Sequence, residues 1–159
     1  MTITVCNSTP IISLSSVGRL DLLRDVFGEI IIAEAVYREI KAKQSYGYRE
    51  IDADFITVCA VQDMAERSRL REELDHGEAE TILLAKEIQA TRVIIDENIG
   101  YAIARREGLH VVRTLSILLK AKDEGSIVAV KPILDEMIAK GRWYSQSVYL
   151  AVLERAGET

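Results

Sequence analysis

Ile3-Thr4-Val5-Cys6-Asn7-Ser8-Thr9-Pro10 is a β-branched, apolar run that stops at small polar residues and a proline. The run reads as a short buried strand, and the polar cluster as the start of a helix. Thr9 is placed to cap that helix, with Pro10 in its first turn, where a missing N–H costs nothing. The same succession recurs at Val93-Ile94-Ile95, which ends in Asp96-Glu97-Asn98 before Ile99, Ala102, Ile103 and Arg106 at helical spacing. Gly108 closes that helix.

Outward from these two units the period keeps switching. Strands are expected at Ile30-Ile31-Ile32, Phe55–Cys59 and Leu109–Val112. Helices are expected up to Phe27 with a break near Gly18, from Ala33 to about Lys43, from Gln62 to Glu73, and from Glu78 to about Gln89. Three more follow: one carries Leu115, Leu118 and Leu119 to Gly125, one runs from Pro132 to near Gly141, and a last one is capped by Ser145. Strands alternating with helices predict a three-layer α/β/α fold around a parallel sheet of about four or five strands, with two C-terminal helices. A single domain spanning 1–159 is expected, with 130–157 as a helical extension. In such sheets ligands sit beyond the carboxyl ends of the strands.

Composition agrees with a packed domain. The chain has 159 residues, 48% hydrophobic and 28% charged, which suffices for a core without staples. Cys6 and Cys59 lie in strand-like runs and are expected to be buried thiols in a reducing compartment. No apolar run approaches a membrane span, and the N-terminus lacks a basic flank, so a cytoplasmic protein is expected. The net charge of −5 excludes a general nucleic-acid coat, so any polyanion must meet a local basic rim or a bound cation. His76 and His110 share no zinc-ligand spacing.

The acids are the informative residues. Glu78 aligns with Ile82 and Ala85 on the apolar arc of its helix, where a carboxylate is costly without a cation or donors. Glu80 points nearly opposite, with Glu87, and reads as a solvent or helix-start residue. Glu39 stands on the margin of the stripe formed by Val36 and Ile40, and Asp96 at a strand end. Taken alone, Glu39 reads as solvated and Asp96 as a turn former or cap. Carboxylates gathered at one sheet edge repel one another unless a hard dication offsets them, and oxygen-rich clusters suit Mg²⁺ or Mn²⁺.

These residues carry a resemblance. Val5–Ile12, Gly18–Leu23, Ile32–Ile40, Gly77–Ile82, Ile94–Glu97 and Val130–Asp135, in that order, are similar to the motifs of PIN-domain proteins, and more closely of a PIN-like prokaryotic branch often found in toxin–antitoxin pairs. The resemblance implies a ribonuclease dependent on Mg²⁺ or Mn²⁺, acting on RNA, with a small antitoxin protein as partner. The amphipathic helices Pro132–Lys140 and Ser145–Ala156 are expected to pack on the domain, with a homodimer surface or an antitoxin docking groove as the second reading. By position the resemblance assigns Asn7, Glu39, Glu78 and Asp96 as catalytic residues and metal ligands. Ser8, Thr9, Glu80, Glu97 and Asn98 are supporting positions, with Glu80 the alternative to Glu78. The departure is Asn7, an amide where the family carries an acid. It motivates the alternative of a catalytically weakened module that binds RNA or a protein. A response-regulator-like domain is the weaker third reading, since Asn7 and Arg113 supply neither its acids nor its lysine.

Arginines 67, 69 and 71 lie in a run with Glu66, Glu72 and Glu73 and read as a solvated helix with intrahelical pairs, which would act as an RNA rim only if it flanked the acids. Tyr46, Tyr48, Trp143 and Tyr144 are candidates for base stacking. Trp143 is expected to pack the last two helices together.

Overall fold

The computed structural model describes residues 2–159. In chain order the elements are β1 (Thr4–Cys6), α1 (Ser8–Ser16), α2 (Asp21–Phe27), β2 (Ile30–Ala33) and α3 (Glu34–Lys41). A 3₁₀ turn at Glu50–Asp52 leads to β3 (Ile56–Cys59), α4 (Met64–Arg71), α5 (His76–Glu87), β4 (Arg92–Ile94) and α6 (Asn98–Arg106). The chain ends with β5 (Val111–Val112), α7 (Thr114–Asp123), α8 (Lys131–Ala139) and α9 (Gln146–Arg155).

The strands form one parallel sheet in the order β3-β2-β1-β4-β5. Val5, Ile32, Val93 and Ile94 are wholly buried because helices cover both faces. On one face α5 lies over β1, β2 and β4, with α3 and α4 beside it; elsewhere α2 packs on β2 and α7, and α7 on α9. The chain leaves β1 toward β2 and leaves β4 toward β5, so the connections diverge between these two central strands. Cys6 pairs with Ile94 in register, and the Asn7 N–H donates to the Ile94 carbonyl at 3.0 Å. The divergence point, where side chains can face a ligand from both sides, is thus at Asn7 and the residues after Ile95.

The three-layer parallel α/β fold expected from the pattern is the fold observed. Four local expectations change. Asn7, not Thr9, is the first cap of α1, and its side chain caps nothing, because it is directed into the sheet edge. Glu80 is not a solvent residue: it is 3% exposed. Cys59 is only half-buried on edge strand β3, whereas Cys6 is fully buried. Trp143 packs no helices together, being 76% exposed. Ser145 does cap α9, accepting from the Val148 N–H at 3.2 Å. No helix among the described residues is long and apolar enough to cross a membrane.

Candidate functional site

Asn7 is the centre of the strand edge. Its buried amide accepts from Thr81 Oγ1 at 3.3 Å and donates through Nδ2 to Glu97 Oε1 at 3.4 Å. The next two residues follow the same logic. Ser8 donates to Glu39 Oε2 at 2.6 Å, and Thr9 donates to Glu97 Oε2 at 2.7 Å. The first turn of α1 therefore orients two carboxylates, from α3 and from the end of β4. Ser8 leaves the other oxygen of Glu39, Oε1, turned toward Gly77. There it stands only 2.9 Å from where a Cβ on Gly77 would be, with Asn7 Oδ1 at 3.5 Å and Asp75 Oδ1 at 3.7 Å. The missing side chain opens a cradle lined by oxygen from three separate segments.

Glu78 enters from the first turn of α5. Asp75 caps that helix by accepting the Glu78 N–H at 2.8 Å. The Glu78 side chain lies against α6, with its Cγ and Cδ at 3.8 and 3.7 Å from a Cβ placed on Gly100. Partial burial, followed by the charges of Asp75, Glu97 and Glu39, pushes its carboxyl up to about 7, against one lowering contribution from the Asp75 backbone. A carboxyl held among acids in this way is the electrostatic mark of a site that lacks a compensating positive charge.

Asp96 and Glu80 are placed differently from their neighbours. Asp96, 7% exposed, accepts from the Thr114 N–H at 2.8 Å and from Thr114 Oγ1 at 2.7 Å, with Arg142 at 3.6 Å. It ties β4 to the start of α7 and to the segment after α8. Of the two acids after β4, Glu97 is the one that meets Asn7. Glu80 accepts from the Ala35 N–H at 3.1 Å and from Arg67 at 3.3 Å. Ala35 lies in the first turn of α3, where a helix N–H lacks an intrahelical partner. Glu80 thus fastens the helix that carries Glu39. Asn98 is exposed and accepts from Arg113 at 3.0 Å.

The acid group is bordered by two hollows. One, of about 500 Å³, is lined by Arg38, Arg67, Arg71 and His76 together with Glu39 and Gly77. The other, of about 360 Å³, runs from Glu97 and Asn98 past Arg113 and Arg142 to Trp143. Arg67 and Arg71 thereby flank the acids, while Arg69 makes the expected intrahelical pair with Glu66 and also pairs with Glu107. Asp75, Gly77, Thr81 and Thr114 were not assigned as site residues. The signals present were the Gly77–Ile82 motif, which contains Gly77 and Thr81, and the Asp75-x-x-Glu78 spacing of a helix cap.

The fold and site together define a parallel α/β domain with oxygen donors gathered at the divergence point of its sheet. Within that class the chain matches the PIN domain family over residues 3–158, and it belongs to that family. No curated protein and no solved structure matches the chain significantly. The family brings a nuclease-like fold and, in general, metal dependence.

The residues fit a hard dication by their chemistry. The donors are carboxylate and amide oxygens without sulfur or imidazole, and the Gly77 cradle leaves room beside them. Among the described residues no three His, Cys, Asp or Glu side chains already form a metal-holding group. One donor here, Asn7, is an amide.

Proposed function

We propose that this protein is a metal-dependent ribonuclease whose site is made by Asn7, Glu39, Glu78 and Glu97, with Asp96 bracing the loop that carries Glu97. The observation that carries the reading is the convergence of these side chains at the divergence point of the sheet, with Glu78 raised to about 7 by its acidic neighbours. Mg²⁺ or Mn²⁺ bound there supplies Lewis acidity toward a water and a phosphodiester oxygen. The chain's own hydroxyls do the orienting. Ser8 fixes Glu39 by one oxygen and leaves the other to face the cradle. Thr9 and the Asn7 amide fix both oxygens of Glu97 in one direction, and Thr81 prevents the amide from turning. Glu78, with its carboxyl near neutrality, is suited to hold or release a proton at its carboxylate during hydrolysis. Asp96 remains the assignment that the family motif suggests; its bonds to Thr114 favour a bracing role.

The toxin role and a small antitoxin partner follow from the prokaryotic branch that the motifs resemble, and a homodimer from the amphipathic C-terminal helices. Co-purification with the product of an adjacent reading frame, and sedimentation of the purified chain, test them. The ribonuclease reading is tested by incubating single-stranded RNA with purified protein and Mn²⁺. Cleavage that disappears in a folded Glu78→Gln variant supports it; no cleavage at any divalent ion removes it. The uncharged Asn7 favours a second reading, a PIN-fold module that binds RNA without hydrolysing it. Calorimetry with Mn²⁺ separates the two, since a competent site releases heat of binding at sub-millimolar ion and a silent one does not.

A further inference from the structure

Trp143 stands in a short segment between α8 and α9, which Gly141 allows to turn by adopting φ +114°. Its indole is 76% exposed and forms one wall of the hollow that begins at Glu97 and Asn98. The hollow is not the apolar groove of a protein interface, whose centre is depleted of charge. Its other walls carry two guanidiniums. Arg142 stacks 4.7 Å from the Tyr144 ring, donates to the Tyr144 hydroxyl at 3.2 Å, and approaches Asp96 at 3.6 Å, longer than a hydrogen bond. Arg113 stacks 4.0 Å from the Tyr101 ring, bonds the neutral Asn98, and among the described residues has no carboxylate in ion-pair range. An exposed aromatic face beside guanidiniums that are not fully neutralised matches an unpaired base with its phosphate.

Position supports that occupant. The hollow shares Glu97 with the acid group, and the hollow lined by Arg38, Arg67, Arg71 and His76 shares Glu39 with it. The acids therefore lie between two arginine-lined depressions on a chain whose net charge is −5. A single strand crossing the acids would meet arginines on both sides, Arg38 and Arg67 paired with Glu34 and Glu80 and Arg71 in no ion pair among the described residues, and an indole on one.

We propose that the hollow beside the α8–α9 joint is a nucleobase subsite, in which Trp143 stacks on an unpaired base of the RNA while Arg142 and Arg113 face its phosphates. This rests on the ribonuclease reading for its ligand and adds to it a preference for single strands. In duplex RNA the base faces are already stacked and the indole has no surface to meet.

Trp143 is the one tryptophan of the chain, so its emission reports the subsite directly. The experiment titrates full-length protein, in EDTA and low salt, with a short oligoadenylate, with an abasic ribose-phosphate chain of the same length, and with duplex RNA. The oligoadenylate is expected to quench the emission saturably and the other two not to. Trp143→Ala, followed by the anisotropy of end-labelled oligoadenylate, is expected to bind about 5- to 100-fold more weakly. Trp143→Phe is expected to recover most of that loss. Because the indole is exposed, both variants retain the fold, which circular dichroism checks.

Unchanged emission together with wild-type binding by Trp143→Ala overturns the subsite. So does equal quenching by the abasic chain. A blue shift of emission with rising protein concentration, matched by dimers in sedimentation, also overturns it, because a second copy then covers the indole. Quenching without Mn²⁺-dependent cleavage leaves the subsite standing and removes the nuclease reading. Cleavage without quenching does the reverse.

Discussion

Replacing Glu78 by glutamine should stabilise the protein in the absence of metal, and should do so only at higher pH. In the folded chain the Glu78 carboxyl is raised from 4.5 to about 7, first by burial and then by Asp75, Glu97 and Glu39. Folding therefore favours its protonated form. The unfavourable contribution of the ionised carboxylate is absent below the unfolded value of 4.5, grows as pH rises, and is complete above about 7. At about 1.4 kcal/mol per pH unit the whole shift corresponds to on the order of 3 kcal/mol. Glu78 is only partly buried, and solvent screening reduces this to on the order of 1–2 kcal/mol. Glutamine keeps the shape of the protonated acid and removes the charge. Urea unfolding in EDTA should show Glu78→Gln more stable than wild type by that amount at about pH 8, and equal to it at about pH 4. Added Mn²⁺ should reverse the order at about pH 8. Wild type gains about 2.7 kcal/mol at a hundredfold excess over its dissociation constant, and the variant, lacking a ligand, gains less. A variant no more stable than wild type at high pH, or equally stabilised at both pH values, would refute the claim that Glu78 is held among uncompensated acids.

Other substitutions separate the site from its supports. Gly77→Ala places a methyl 2.9 Å from Glu39 Oε1 at a helical position with ordinary backbone angles; Mn²⁺ affinity by calorimetry should fall at least about tenfold while the melting temperature holds or rises slightly. Asp96→Asn should lower the melting temperature, losing about 1–3 kcal/mol through the bonds to Thr114, yet keep most of the Mn²⁺ affinity, whereas Glu97→Gln should keep stability and lose the metal. Glu80→Ala should cost about 2–4 kcal/mol in urea unfolding, because it strands the Ala35 N–H and uncouples Arg67; a loss below about 1 kcal/mol would contradict its role in fastening α3.

The division between what was legible and what was not follows residue by residue. The order of strands and helices is written locally. Ile30-Ile31-Ile32 and Val93-Ile94-Ile95 are apolar throughout because a parallel strand is buried on both faces, and no other element of that length needs such a run. The placement of acids at strand ends followed from that order alone. The strand-end rule put Asn7 at the sheet edge and helical spacing singled out Glu78, whereas Glu39 joined them only through the family resemblance, since by itself it reads as a solvated helix residue.

Which of two adjacent acids faces the site was decided by packing between distant segments. Periodicity assigned Glu80 to solvent because it assumes one buried face. Helix α5 is buried from Ala79 to Ala85 between the sheet, α3 and α4, so an arc of apolar residues points nowhere in particular. Asp96 and Glu97 have interchangeable chemistry, and what separates them is Thr114, a residue 18 positions further on that takes both oxygens of the first. Trp143 looked like packing material because large aromatics usually are. Its exposure is set by the way α8 and α9 join, an angle that depends on what each helix packs against. Local sequence determines a residue's backbone conformation through short-range sterics and hydrogen bonds. The direction of a long side chain toward a partner is a long-range term, and it exists only once the sheet has brought the segments together.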